Sequence, residues 1–130
     1  MRIARVGVVG VLALLGGCLG DLPGPQIGRP AVEYTAATLE GDSVSLASLR
    51  GEVVLLNLWA TWCGPCRTET PYLQSLFEEY RDQGFSLVGI SLDTGDASED
   101  IEMFVEEYGV TYTILHDPMM KGMDLYQVLG

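Results

Sequence analysis

An apolar run that passes into a pair of cysteines constrains the fold of this chain more than any other feature. Residues Val53 to Trp59 (VVLLNLW) are apolar apart from Asn57, and Cys63-Gly64-Pro65-Cys66 follows three residues later. A nearly continuous apolar run is typical of a central strand that is covered on both faces. Apolar residues beyond the cysteines recur at helical spacing, which predicts a helix to about Arg81. The cysteine pair is therefore expected where a buried strand turns into a helix.

Strands and helices alternate along the rest of the chain. Two stretches of strand composition lie on either side of the Gly41-Asp42 turn signal and predict a small N-terminal hairpin. Alternation of this kind predicts an α/β fold, with a central sheet flanked by helices. The predicted elements are strands at 32–39 and 43–46, a helical turn at 47–51, the strand at 53–59, the helix to Arg81, a strand at 85–92, a helix, a strand at 111–115 and a helix from Asp117.

The predicted helices carry signals for kinks and ends. Pro71 lies inside the first helix and predicts a kink about two turns in. Asp96 with Glu99 three residues later is typical of a capping box at the start of a helix, and Gly109 is expected to end that helix. The last helix carries Met119, Met120 and Met123, which are interpreted as core filler and not as a metal site.

The cysteine pair points to redox chemistry. A gap of two residues removes little chain entropy when it is closed, so the pair is a poor structural cross-link. Zinc needs about four ligands, and with His116 as the single histidine and no second C-x-x-C, no metal is expected. A cysteine at a helix N-terminus has a stabilised thiolate, which makes Cys63 the expected nucleophile and Cys66 the resolving thiol.

The residues around the pair are expected to support this chemistry. Gly64 and Pro65 fix the turn between the cysteines, since a proline in the first helical turn loses no hydrogen bond. Trp62 is expected to shield the site and to offer partners a flat apolar surface. The Cys63–Cys66 disulfide is the one redox group that is expected, with no separate cofactor.

The first seventeen residues resemble a bacterial lipoprotein signal. Arg2 and Arg5 precede an uncharged apolar run, and Leu15-Gly16-Gly17 leads into Cys18, the expected site of lipidation. Residues 18–30 are rich in proline and glycine and predict a tether, which leaves 31–130 as the domain. An ordinary signal peptide, or an uncleaved anchor with an incidental cysteine, is the alternative.

The charge of the chain excludes one class of partner. Seven Lys and Arg stand against 18 Asp and Glu, a net charge of −11. No basic face is available to neutralise phosphates, so a nucleic-acid partner is not expected. The acidic run from Asp93 to Glu107 is interpreted mostly as a solvated helix face, with a docking surface for basic partners as the alternative.

The segments WATWCGPCRTETP and LEGDSVSLASLRGEVVLLNLWATWC resemble the TlpA/ResA-type thiol-disulfide oxidoreductases of bacteria over residues 27–130. The resemblance implies a thioredoxin-like fold with an N-terminal hairpin. It also implies a membrane-anchored protein outside the cytoplasm that reduces the disulfides of exported proteins, apocytochrome c among them, and is itself reduced by a membrane thiol reductant.

The resemblance gives a role to Glu69 and leaves two other residues without one. Glu69 matches the acidic residue of the family's C-x-x-C-x-x-E pattern, and either tunes the cysteine pKa values or is an exposed first-turn glutamate. Arg67 is interpreted as a solvated side chain. His116 is expected to have a structural or surface role.

The sequence departs from the family after Pro118. No later proline can take the role of the family's cis-proline, so the last strands and helix of the fold are expected to be missing and the chain is interpreted as a C-terminally truncated member. An inactive truncated lipoprotein is therefore one alternative function. A peroxiredoxin-like antioxidant is another, although Thr61 lies two residues before Cys63 where those enzymes need a threonine three before.

Overall fold

A mixed five-stranded sheet organises the computed structural model, which describes residues 24–128. The predicted signal at 1–17, Cys18, the first part of the tether, Leu129 and Gly130 lie outside these residues. Two short 3-10 turns, Leu46–Leu49 and Arg81–Gln83, join the main elements. Those elements are β1 (Thr35–Thr38), β2 (Ser43–Ser45), β3 (Val53–Trp59), α1 (Gly64–Tyr80), β4 (Phe85–Ser91), α2 (Ser98–Tyr108), β5 (Thr113–His116) and α3 (Lys121–Tyr126).

The strand order is β2-β1-β5-β4-β3, which confirms the α/β class. The predicted N-terminal hairpin is confirmed, because β1 and β2 pair antiparallel with Ala36 opposite Val44. Strand β1 also pairs antiparallel with β5, whereas β3, β4 and β5 are parallel. The carboxyl ends of the three parallel strands therefore meet at one edge of the sheet, and the cysteine pair follows β3 at that edge.

The predicted central position of β3 is wrong for the described part of the chain. Within residues 24–128, β3 pairs with β4 alone and forms an edge of the sheet. Val53 at its start is 70% exposed, whereas Trp59 at its end is buried. An apolar run shows that a strand needs cover, but it does not show which neighbours provide that cover.

Two apolar clusters cover the two faces of the sheet. On one face, Trp59 packs with Leu73 of α1 and with Ile101 and Phe104 of α2. The other face is built on four buried residues, against which the hairpin, the first 3-10 turn and α3 pack: Tyr34, Val88, Ile90 and Leu115. Helices α1 and α2 therefore lie together on the face that continues into the cysteine motif.

The helix ends agree with the sequence in part. Helix α1 continues through Pro71, and a kink at that residue stays a prediction. Helix α2 ends at Gly109 in the left-handed conformation, as predicted. The predicted capping box is wrong, because Ala97 is the N-cap of α2 and no side chain caps it. Met119 is 72% exposed, so it is not core filler.

Helix α3 begins later than Asp117, but Asp117 still caps it. Its Oδ2 accepts a hydrogen bond of 2.6 Å from the Gly122 N–H, and Asp117 is 4% exposed. A carboxylate that satisfies the free N–H groups at a helix start stabilises that start. None of the helices within residues 24–128 is long and apolar enough to cross a bilayer.

Candidate active site

The cysteine pair lies where β3 ends and α1 begins, as the sequence predicts. Cys63 is the N-cap of α1, with extended backbone angles (φ −80°, ψ 104°), and is joined to Cys66 by a disulfide with the Cα atoms 5.2 Å apart. Its Sγ accepts a hydrogen bond of 3.3 Å from the Cys66 N–H. Cys63 and Cys66 are both half-buried.

This placement favours a thiolate on Cys63 after reduction. The first N–H groups of a helix have no partner inside the helix, and together with the macrodipole they attract negative charge. The Cys66 N–H already points at the Cys63 Sγ. Pro65 occupies the first helical turn, where its missing N–H removes no hydrogen bond. A helix N-cap position of this kind lowers the pKa of a cysteine thiol.

Trp62 and the turn residues form the exposed surface beside the disulfide. Trp62 is 75% exposed, and Gly64 and Pro65 are also exposed. Trp62 lines an open cleft of about 350 Å³ that Met103 and Asp100 of α2 also line. An aromatic ring beside a reactive cysteine offers an apolar contact to a peptide partner.

Arg67 is exposed, as predicted for a solvated side chain, but it also makes contacts that the sequence did not indicate. Its Nε donates to the Thr61 carbonyl at 3.1 Å, and its Nη1 donates to Glu107 Oε2 at 3.3 Å and to the Tyr108 hydroxyl at 3.4 Å. The guanidinium also lies 5.4 Å from the ring centroid of Phe104. The hydrogen bond with Tyr108 raises the pKa of Arg67 above its ordinary value. Arg67 therefore joins the loop before Cys63 to helix α2.

Asp93 is a site residue that the sequence reasoning missed. The acidic run from Asp93 to Glu107 was expected to be a solvated helix face, but Asp93 precedes α2 and is 5% exposed. Its carboxylate accepts hydrogen bonds from the Thr61 N–H (3.0 Å) and the Thr61 hydroxyl (2.7 Å). The Ser91 hydroxyl donates to it as well, at 2.8 Å. A buried carboxylate thus supports the loop that leads to Cys63.

Glu69 does not lie in a buried position beneath the cysteines. Its side chain is exposed, whereas the neighbouring Thr70 is buried and donates its hydroxyl to the Cys66 carbonyl at 2.8 Å. Burial raises the pKa of Tyr112 to about 12, and the negative charge of Glu69 adds to that rise. Control of the cysteine pKa values by Glu69 stays a prediction.

His116 contacts Asp93, which the sequence did not indicate. Its Nε2 lies 2.9 Å from the Asp93 carbonyl oxygen, so the imidazole donates to the backbone of the residue that holds Thr61. The predicted structural role agrees with this contact. Within residues 24–128, no group of three or more His, Cys, Asp and Glu side chains could hold a metal ion.

Comparison with known proteins connects this geometry to a family. The model of the AhpC/TSA family matches residues 27–130. The chain is 39% identical to the thiol-disulfide oxidoreductase ResA of Oceanobacillus iheyensis over 90 aligned residues. The aligned region covers 69% of this chain and 46% of that protein. The chain is also 34% identical to ResA of Bacillus thuringiensis over 122 aligned residues, a region that covers 94% of this chain and 69% of that protein.

A solved structure supports the same connection. The thioredoxin domain of a thiol-disulfide oxidoreductase from Bacteroides vulgatus superposes with a TM-score of 0.70 and 31% identity, over 79% of this chain and 74% of that chain. The chain spans about half of the first relative's length and about two thirds of the second's.

Proposed function

The chain belongs to the AhpC/TSA family and is TlpA/ResA-like, with a thioredoxin-like fold, and we propose from this premise that it acts as a thiol-disulfide oxidoreductase through Cys63 and Cys66. The observation that carries the proposal is the bonded cysteine pair at the start of α1, with the Cys63 Sγ at the helix N-cap. Such a position favours the thiolate that disulfide exchange requires.

The proposed reaction is a two-step exchange that starts from the dithiol form. The Cys63 thiolate attacks one sulfur of a partner disulfide, which forms a mixed disulfide and releases the partner's other sulfur as a thiolate. The Cys66 thiolate then attacks the Cys63 Sγ, which restores the Cys63–Cys66 disulfide and releases the partner's second thiolate. Two electrons pass to the partner, and the protein must be reduced again by an external dithiol.

The second step suits the geometry of the pair. The cysteine Cα atoms lie 5.2 Å apart, within the range of an ordinary disulfide, so Cys66 can reach Cys63 without backbone movement. The Cys66 N–H is directed at the Cys63 Sγ, where it can stabilise the negative charge of the thiolate before its attack on the partner disulfide.

The proposed location is outside the cytoplasm, with the chain tethered to a membrane by lipid on Cys18. The order of Arg2, Arg5, an apolar run and Leu15-Gly16-Gly17-Cys18 supports this proposal. The anchored chain would begin at Cys18 without Arg2 and Arg5, so 5 Lys and Arg would stand against 18 Asp and Glu. This net charge of −13 repels an anionic membrane surface and leaves the anchoring to the lipid.

The proposed substrates are disulfides of exported proteins, with apocytochrome c as one class and a membrane thiol protein as the reductant. The names of the ResA relatives support the chemistry of exchange. The resemblance to the TlpA/ResA type supports the direction, which is reduction of the partner.

Reduction of insulin by the full chain tests the exchange activity. Cys18→Ser is introduced in every variant so that Cys63 and Cys66 are the titrating thiols. The reference chain is expected to reduce insulin with a dithiol as electron donor, Cys63→Ala to be inactive, and Cys66→Ser to accumulate the mixed disulfide.

A redox titration in defined thiol and disulfide buffers completes the test. A reversible two-electron couple supports the proposal, and its absence together with an inactive reference chain would refute it. Consumption of peroxide without insulin reduction would point to a peroxidase instead.

The lipid anchor has a separate test. The chain with its native Cys18, expressed in a bacterium, is expected to partition with membranes and to gain the mass of a lipid at Cys18 after loss of residues 1–17. Cys18→Ser should abolish both effects. An unmodified Cys18 on an exported chain would overturn the anchoring proposal and leave the exchange activity untouched.

A further inference from the structure

Asp93 forms hydrogen bonds with Thr61 in the loop before Cys63, with Ser91 at the end of β4 and with His116 of β5. Oδ1 accepts from the Thr61 hydroxyl at 2.7 Å, and Oδ2 accepts from the Thr61 N–H at 3.0 Å and from the Ser91 hydroxyl at 2.8 Å. The Asp93 carbonyl oxygen accepts from His116 Nε2 at 2.9 Å. A carboxylate that is 5% exposed needs such partners, because burial of an ion without them is costly.

Thr61 is held from two sides by different elements. Asp93, just after β4, binds its N–H and hydroxyl, while Arg67 of α1 binds its carbonyl at 3.1 Å. The next turn places the Cys63 N–H 3.1 Å from the Ala60 carbonyl. The backbone from 60 to 63 therefore has little freedom, and the extended conformation of Cys63 that makes it an N-cap depends on that loop.

We propose that Asp93 is a positioning residue for the proposed thiol-disulfide exchange, acting through Thr61 to hold Cys63 at the N-cap of α1. The inference rests on the proposed function for its catalytic meaning. The juxtaposition that carries it is a buried carboxylate with two hydrogen bonds to a residue two positions before the nucleophile. Groups held in place by packed partners of this kind set the geometry of attack, and small displacements slow the reaction.

Positioning can be distinguished from a simple charge effect because the two act in opposite directions. A nearby negative charge disfavours a thiolate, so loss of the charge alone would lower the pKa of the Cys63 thiol. Loosening the loop would instead move the Cys63 Sγ away from the Cys66 N–H and the helix N-terminus, which raises that pKa and slows attack.

The test compares three variants of the full chain in the Cys18→Ser background. Asp93→Ala removes every side-chain contact with Thr61, Thr61→Val removes the hydroxyl contact and keeps the N–H contact, and Asp93→Asn keeps one oxygen that can accept from the Thr61 N–H. The pKa of the Cys63 thiol is followed by absorbance of the thiolate and by the rate of alkylation against pH. Insulin reduction gives the catalytic rate.

Positioning predicts a graded result. The second-order rate at neutral pH should fall about tenfold in Asp93→Ala and about threefold in Thr61→Val, with a raised thiol pKa in both. Asp93→Asn should recover most of the rate. If Asp93→Ala does not fold, Thr61→Val and Asp93→Asn still decide the matter, because a raised thiol pKa in Thr61→Val is not expected from charge.

Asp117→Asn is the matched control. Asp117 is also a buried carboxylate that accepts from a backbone N–H, but its partners are the Gly122 N–H at the start of α3 and the Tyr34 side chain, not Thr61. It is expected to lower the melting temperature and to leave the Cys63 thiol pKa unchanged. A loss of rate in Asp93→Ala that is no greater than in Asp117→Asn would overturn the proposal.

Two other outcomes have separate meanings. An unchanged rate and thiol pKa in Thr61→Val, with a lowered thiol pKa in both Asp93 variants, would show that Asp93 acts by charge and would refute positioning. If the reference chain neither reduces insulin nor shows a reversible two-electron couple, the proposed function fails. The alkylation of Cys63 still measures whether Asp93 controls the thiol.

Discussion

Gly89 leaves no room for a side chain, so Gly89→Ala should destabilise the fold beneath the active site. Gly89 lies in β4 opposite Ile114 of β5. A Cβ at this position would lie 2.9 Å from Ile114 Cδ1, 3.0 Å from Trp59 Nε1 and 3.1 Å from Tyr112 Cε2. Its backbone is that of an ordinary strand, so the penalty comes from overpacking and not from a forbidden φ. A clash with three core side chains is expected to cost about 1–3 kcal/mol in free energy of unfolding.

Thermal and urea unfolding, followed by near-UV circular dichroism, measure this cost. For a domain of this size each kcal/mol lowers the melting temperature by about 4–8 °C. Gly64→Ala is the control, because a Cβ at Gly64 meets nothing within 4 Å and Gly64 is the first residue of α1, where its backbone is already helical and φ is not positive. Gly64→Ala should leave the free energy of unfolding unchanged or raise it.

A second substitution shows whether the clash is the cause. Ile114→Val removes Cδ1, the atom that a Cβ at Gly89 would approach most closely. Alone it should cost about 0.5–1.5 kcal/mol through the lost methyl group. In the double variant the loss in free energy of unfolding should be smaller than the sum of the two single losses by about 1 kcal/mol. Additive costs, or a Gly89→Ala variant as stable as the reference chain, would refute the reasoning.

Three further substitutions test contacts around the site. Arg67→Lys keeps the charge but loses the planar donor that reaches the Thr61 carbonyl, so the midpoint of urea unfolding should fall slightly; an unchanged midpoint would contradict this. Gln74→Leu leaves the Thr111 N–H, now 2.9 Å from Gln74 Oε1, without that acceptor and should cost about 1–3 kcal/mol in the same assay. Tyr112 has its pKa raised to about 12, mainly by burial, so its contribution to stability is complete below about pH 10 and is lost as pH rises through about 12. Tyr112→Phe should remove that part of the alkaline loss, and an identical pH profile in this variant would contradict it.

Periodicity and turn signals predicted the elements well because both are local. The antiparallel hairpin and the left-handed C-cap at Gly109 follow from short stretches of sequence. The strand β3 was predicted to be central because its composition is apolar, yet the place of a strand in a sheet depends on pairing between distant segments. The capping box failed for a related reason. Asp96 has a suitable side chain, but the backbone enters α2 one residue later, at Ala97.

The two cysteines could be assigned from the sequence, but the role of Asp93 in holding the loop before Cys63 could not. In the sequence Asp93 is simply the first residue of an acidic run. Nothing in the composition of 93–107 separates a buried carboxylate from the solvated ones that follow. The signal lies in the sheet register, where Trp59 of β3 pairs with Ser91 of β4. Thr61 and Asp93 each lie two residues beyond that pair, at the shared carboxyl edge of parallel strands, so their contact follows once the pairing is known. Asp93 is therefore a candidate for a positioning role because of where it lies. It follows a buried parallel strand by two residues, and the loop after the neighbouring strand carries Cys63.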